Sequence, residues 1–204
     1  MIHKKINLAV NHLSKCDNTM LRIIKKYGKC NLEAHNKYFE ALLKAIVGQQ
    51  LSLQSADAIF SRFMRLYNGR PTSRKVLNTP ENEMKEAGLS NAKIKYVKDL
   101  ADKLITNKIN LKNLVSRTDE EIITELTQVK GIGVWTVHMF LIFTLGRLNV
   151  LPYSDLGIKK AILLNYNLRK LPDEQKIIKL AQKNNWSPYN SIAALYLWKT
   201  LESK

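Results

Sequence analysis

Between a helix that opens at Thr118 and an apolar run that ends at Leu145, the chain has five residues in which to turn: Val129-Lys130-Gly131-Ile132-Gly133. Two glycines around one apolar residue permit a tight reversal, because glycine reaches backbone conformations closed to other residues. Ile132 is then expected to plug the core. The amides of the turn, and those opening the following helix, are expected to face outward. Amides at a helix N-terminus attract anions, and Lys130 beside them adds a charge-assisted contact. Taken alone, the Gly-x-Gly also fits an ordinary helix–helix turn.

The helical period recurs along the rest of the chain. Thr118-Asp119-Glu120-Glu121 supplies an N-cap and a capping box for a helix reaching about Gln128. From Asn91 to Asn107, Ile94, Val97, Leu100, Ala101, Leu104 and Ile105 recur at intervals of three and four. Lys93, Lys95, Lys98 and Lys103 lie between them, where a solvated charged face accounts for them. Residues 36–47 carry Tyr38, Phe39, Leu42, Leu43, Ile46 and Val47 over a broad helical face and stop at Gly48. Gln49-Gln50-Leu51 follows, and Ser52 is placed to cap a helix over Leu53 to Tyr67. Adjacent glutamines in a loop either face solvent or bond something that enters, and solvent is the simpler choice. Residues 4–27 read as one or two basic helices and 72–86 as short ones, with Gly88 and Ser90 as a stop and a start. No strand-like alternation appears before the hairpin, and Gly 8 with Pro 5 leaves little punctuation for an all-β fold. The expectation is an all-α fold. With 204 residues and 45% hydrophobic content, the chain can bury a core.

Lys+Arg 33 against Asp+Glu 17 gives a net charge of +16. The excess runs from Lys4 and Lys5 through Lys93 to Lys112 and on to Lys159 through Lys183. A distributed positive field favours a polyanion, nucleic acid above all, although a Lys-rich soluble protein carries the same charge. Cys16 and Cys30 are the only cysteines, too few for a disulfide framework or a four-Cys iron–sulfur cluster. His12, Cys16, Cys30 and His35 are spaced more loosely than zinc ligands usually are, so half-buried thiols beside solvated histidines are expected instead. No long apolar core follows Met1-Ile2-His3-Lys4-Lys5, and Met139 to Leu145 is too short to span a bilayer. The protein is expected to be intracellular, with no membrane association.

Several segments, in this order, resemble those of one family. Gly131-Ile132-Gly133-Val134-Trp135-Thr136 looks like the helix-hairpin-helix motif of DNA repair enzymes. Leu151-Pro152-Tyr153-Ser154-Asp155-Leu156-Gly157 looks like the loop and aspartate of the helix-hairpin-helix (HhH-GPD) base-excision DNA glycosylases. Ile46-Val47-Gly48-Gln49-Gln50-Leu51-Ser52, Gly88-Leu89-Ser90 with Lys93 and Tyr96, and residues 186–198 resemble the 3-methyladenine DNA glycosylase II, or alkylbase, branch. The likeness runs from about residue 36 to the C-terminus.

The resemblance implies roles. Asp155 matches the catalytic aspartate, whose carboxylate stabilises the oxocarbenium-like state of C1′–N cleavage and orients or deprotonates water. The alternative is that Ser154 or Asp155 caps the helix from Leu156 to Asn165. Trp135 stands where bifunctional relatives carry a Schiff-base lysine, which implies a monofunctional enzyme that leaves an abasic site. Trp135, Trp198, Gln49 and Met139 would line the base pocket, the tryptophans stacking on a cationic alkylated purine; core packing is the alternative for both tryptophans. Gln50 and Leu51 would form the wedge that fills the gap left by the flipped nucleotide. Lys130, Gly131, Ile132, Gly133, Val134 and Thr136 would bind the DNA backbone. Backbone carbonyls of Thr127, Val129 and Ile132 would hold a monovalent cation, Na+ or K+. No cofactor is required, and no iron–sulfur cluster is expected. Four positions depart from the family pattern: Lys130 replaces a proline, Asn149 an acid, Met139 a pocket tyrosine of some members, and Gln50 a leucine.

The implied fold is an all-α, two-lobed helical domain over 1–204 with the lesion cleft between the lobes. One lobe would comprise about 46–152, with the hairpin at 126–136. The other would comprise 1–45 and 153–204, with no separate N-terminal β-rich domain. The implied function is a monomeric, monofunctional DNA glycosylase that excises 3-methyladenine-type bases from damaged double-stranded DNA. Two alternatives are a non-catalytic helix-hairpin-helix DNA-binding module and a glycosylase for uracil or an oxidised base.

Overall fold

The computed structural model describes residues 2–202, which form twelve α-helices, one 3-10 turn at Leu114–Ser116 and no strand. Met1, Ser203 and Lys204, which the expected terminal lobe included, lie outside the described residues. The all-helical expectation is therefore met among the described residues. The chain divides into two compact units, a terminal one of residues 1–34 and 141–204 and a central one of residues 35–140.

In the terminal unit, α1 (Ile2–Cys16), α2 (Asn18–Tyr27), α10 (Leu156–Asn165), α11 (Glu174–Lys183) and α12 (Asn190–Glu202) surround a core that includes Leu13, Met20, Ile158, Ile162, Trp186 and Tyr196. The basic segment 4–27 is two helices because Asp17 breaks it. Asp17 Oδ1 caps α2 by accepting the Thr19 amide at 2.8 Å and the Met20 amide at 3.2 Å. Its Oδ2 accepts the Tyr166 hydroxyl at 2.6 Å and the Trp186 indole N–H at 2.8 Å. Four donors compensate the cost of burying this carboxylate. Burial, and the Asp17 carboxylate it donates to, push the Tyr166 phenol far above its ordinary value, so it remains a donor.

In the central unit, α3 (Tyr38–Gly48), α4 (Leu53–Arg65), α5 (Ser73–Asn78), α6 (Glu81–Glu86), α7 (Asn91–Ile105) and α8 (Asp119–Leu126) precede the hairpin and α9 (Val134–Phe143), whose last three residues fall in the terminal unit. α3 packs on α4 and α7, and α7 also receives α5 and α6. The apolar face read for α7 buries Ile94, Val97, Leu100 and Ala101. Thr118 and Glu121 form the expected capping box at the start of α8.

The division falls at 34/35 and 140/141 rather than near 45 and 152. Residues 35–45 belong with the central unit because α3 buries Leu42 and Leu43 against α4 and α7. Residues 141–152 belong with the terminal unit because Ser191 at the start of α12 holds them. The Ser191 amide donates to the Leu148 carbonyl at 3.0 Å, and its hydroxyl accepts the Val150 amide at 2.9 Å.

Candidate functional site

Asp155 in the terminal unit ends a short turn, its amide donating to the Pro152 carbonyl at 3.0 Å. With φ −69° and ψ 126° it is the N-cap of α10, and Oδ1 accepts the Ile158 amide at 2.8 Å. The same oxygen accepts the Trp198 indole N–H at 2.8 Å. Trp198 lies seven residues after Ser191, two turns along one face of α12. A single helix therefore holds both ends of the segment that carries Asp155. Gly157 leaves room for the arrangement: a Cβ there would lie 2.9 Å from Asp155 Oδ1 and 3.1 Å from Trp198 Nε1. The indole also leans on Phe143, ring centroids 5.7 Å apart. The carboxylate is half-buried and oriented by two fixed donors, as a group stabilising developing positive charge must be. Capping does not exclude chemistry for this residue, because the geometry is compatible with both. The cap is Asp155 and not Ser154.

Of the two hairpin glycines in the central unit, Gly131 alone meets a backbone requirement, since Gly133 has no positive φ and open space where a Cβ would lie. Gly131 has φ 81°, in the left-handed region. A Cβ there would come within 2.2 Å of the Tyr96 ring, so the turn lies flat on α7. Ile132 is buried as the plug, and its amide donates to the Val129 carbonyl at 3.0 Å. Lys130, Gly131, Gly133 and Val134 are exposed. For two of the expected backbone-binding residues the structure narrows which atoms are available. The Thr136 side chain is buried, which confines any contact there to its amide. The Lys130 amide donates inward to Asp99 Oδ2 at 2.8 Å, so only its side chain remains for a phosphate.

One face of α7 supports this hairpin. Asp99 accepts Lys103 Nζ on both carboxylate oxygens at 2.6 Å, and both side chains are largely buried. Burial alone would raise the Asp99 carboxyl. The Lys103 hydrogen bonds, the Lys130 amide and the charges of Lys103 and Lys130 outweigh that and hold it below its ordinary value. Lys93 Nζ donates to the Val47 carbonyl at 2.8 Å, and burial lowers its ammonium. Lys98 Nζ donates to the Leu77 carbonyl at 3.0 Å. Of the lysines expected on a solvated face, Lys93, Lys98 and Lys103 thus each bond a protein oxygen, and Lys95 alone of the four is exposed. Sequence reasoning missed Asp99, although the Asp99/Lys103 spacing of four was a usable signal.

The α3–α4 turn also belongs to the central unit. Gln49, expected in the base pocket, donates its Nε2 to the Gly131 carbonyl at 2.7 Å. Gln50 is exposed with φ 57°, a left-handed conformation uncommon outside glycine and asparagine. Leu51 is exposed beside it. Trp135 and Met139 sit four apart on α9, hence on one face, with Trp135 44% exposed and so not core packing. Thr127 is the C-cap of α8, and Val129 is buried.

Among the described residues no group of three or more His, Cys, Asp or Glu could hold a metal ion. His12 Nε2 meets the Asn185 carbonyl at 2.6 Å, and Cys30 is buried. Nor is any described helix long and apolar enough to cross a membrane.

Residues 43–185 match the family described as "HhH-GPD superfamily base excision DNA repair protein". DNA-3-methyladenine glycosylase 1 of Schizosaccharomyces pombe is 36% identical over 196 residues, covering 93% of this chain and 85% of its own. An alkylbase DNA glycosidase-like protein of the same organism is 30% identical over 197 residues, covering 94% and 92%. The structure of Schizosaccharomyces pombe 3-methyladenine DNA glycosylase in complex with abasic DNA superposes with a TM-score of 0.85 at 36% identity, covering 95% of this chain and 96% of that one.

Proposed function

Since the chain belongs to the HhH-GPD superfamily of base excision DNA repair proteins, we propose that it is a monofunctional DNA glycosylase releasing alkylated purines of the 3-methyladenine type. The observation that carries this reading is Asp155, whose Oδ1 is held at 2.8 Å by both Trp198 and Ile158 in a chain 36% identical to a named 3-methyladenine glycosylase.

Alkylation at N3 places positive charge on the purine, so the base leaves readily once C1′–N9 lengthens. The bond's electron pair goes to N9 and leaves a neutral base. Positive charge develops on the sugar, where the Asp155 carboxylate stabilises it. Water forms the new C1′–O bond, and Asp155 accepts or relays its proton. Trp135 in place of an amine allows no Schiff base, so the reaction stops at the abasic site. Trp135, with Met139 one turn along α9, and Trp198 on α12 each offer a side chain suited to a flipped cationic base. Gln50 and Leu51 fill the space left in the duplex.

The hairpin supplies sequence-blind attachment through the Lys130 side chain and the amides of Gly131, Gly133, Val134 and Thr136, with Ile132 as the buried plug that holds the turn, and the +16 charge adds to it. The carbonyls of Thr127, Val129 and Ile132 would hold Na+ or K+. They are hard oxygen donors next to the C-terminus of α8, where the helix dipole favours a cation. Bound there, the ion would add positive charge beside the phosphate. The enzyme works as a monomer inside the cell.

The test is a panel of duplexes carrying methylated, deaminated or oxidised bases, with released bases identified by chromatography. Release of 3-methyladenine from methylated DNA, with the strand intact until alkali is added, is expected. Release of uracil or 8-oxoguanine alone would move the specificity. No release from any substrate would leave a DNA-binding module.

A further inference from the structure

Two loops of the central unit share one support. On α7, Lys93 reaches the Val47 carbonyl at the end of α3, Tyr96 lies under Gly131, and Asp99 takes the Lys130 amide. These three residues are spaced by three, a continuous helical face. Gln49 closes the circuit by donating Nε2 to the Gly131 carbonyl at 2.7 Å. The Lys130–Gly131 pair is thus gripped at both ends, by the Asp99 carboxylate on the Lys130 N–H and by the Gln49 amide on the Gly131 carbonyl. Gln50 follows Gln49 directly, in a left-handed conformation at φ 57° that points the chain out of the Gly48–Leu51 turn, itself closed by the Leu51 amide on the Gly48 carbonyl at 3.3 Å.

We infer that Gln49 is a positioning residue that ties the phosphate-gripping hairpin to the inserting turn, so that the hairpin's seat on the DNA backbone sets how deep Gln50 enters the duplex. The inference rests on the glycosylase reading for the roles of the hairpin and of Gln50. A hairpin that grips phosphates cannot tell damaged from intact DNA, because both carry the same backbone. A side chain filling the gap of an extruded nucleotide can, since that gap is most easily opened where pairing is already lost. If Gln49 couples the two, backbone binding is converted into discrimination. Breaking the tie should then spare general DNA affinity and reduce the preference for a gap.

The test is binding of the full chain to two duplexes, one undamaged and one with a tetrahydrofuran abasic analogue, which needs no base release. The variants are Gln49→Met, which keeps length and removes the donor, Gln49→Ala, Gln50→Ala and the Gln49→Met/Gln50→Ala pair. Gln49→Met should lower the abasic-over-undamaged preference about five- to tenfold, as loss of one hydrogen bond does, with undamaged affinity within about twofold of wild type. Gln49→Ala should do the same. Gln50→Ala should have little further effect in the Gln49→Met background, because the residue it removes is no longer held. An unchanged preference, a parallel fall in both affinities, effects that multiply in the pair, or a wild type with no preference would each overturn the inference. If wild type releases no base from methylated DNA, the glycosylase reading fails separately, and the binding comparison still decides the coupling.

Discussion

Trp198 Nε1 donates to Asp155 Oδ1 at 2.8 Å, the same oxygen that accepts the Ile158 amide. A side chain on α12 and the first turn of α10 therefore fix one carboxylate oxygen between them. Trp198→Phe keeps an aromatic face against Phe143 and loses the donor. Single-turnover excision of 3-methyladenine should fall about tenfold, the effect of one hydrogen bond to a charged group. The melting temperature should change by only a few degrees.

Gly157 makes the pair possible, because a Cβ would lie 2.9 Å from Asp155 Oδ1 and 3.1 Å from Trp198. In Gly157→Ala neither neighbour can yield cheaply: one is a short carboxylate and the other an indole wedged on Phe143. Alanine favours the helix by about 0.5–1 kcal/mol, so stability should hold while excision falls at least about tenfold. Thermal melts alongside single-turnover assays check both halves. Unchanged excision would show that the close approach is irrelevant.

Asp99 anchors the hairpin and titrates low. A carboxyl depressed in the folded state adds stability above its unfolded value, about pH 3.9, and that stability is lost as pH falls through the folded value. Asp99→Asn lacks this contribution. The wild type should therefore melt higher than Asp99→Asn near neutral pH, and the gap should close below about pH 4. Melting curves from pH 3 to pH 8 test the sign, and a gap that widens in acid would refute it.

Lys130 has given its amide to Asp99, which leaves only its side chain for the phosphate contact proposed for it. Lys130→Ala should weaken binding to all duplexes alike. The slope of log affinity against log salt should flatten by about 0.9, the contribution of one phosphate. Salt titrations on damaged and undamaged duplexes measure it.

Much of this is legible in the sequence alone. The 3.6-residue period placed α3, α4 and α7, and the Gly-x-Gly placed the hairpin with Ile132 as its plug. Asp155 was legible from the motif around it. Other features depend on tertiary partners that a local pattern does not contain. Asp17 divides the basic segment by a local cap, but nothing near it in sequence shows that its second oxygen takes Tyr166 and Trp186, far along the chain. Gln49 reads as solvent-facing because its partner, Gly131, is a backbone carbonyl 82 residues away. The lysines of α7 read as a solvated face for the same reason. Gly157 sits in a helix with no positive φ, so only the nearness of Asp155 and Trp198 gives it meaning.

Asp155→Asn tests the central claim most directly, because the asparagine oxygen can still accept from Ile158 and Trp198 and so preserves the cap and the orientation. Only the charge is lost. Release of 3-methyladenine from methylated duplex DNA should fall about a thousandfold or more, while affinity for abasic-site DNA and the melting temperature stay near wild type. Wild-type excision by a folded Asp155→Asn protein would contradict the role assigned to this carboxylate.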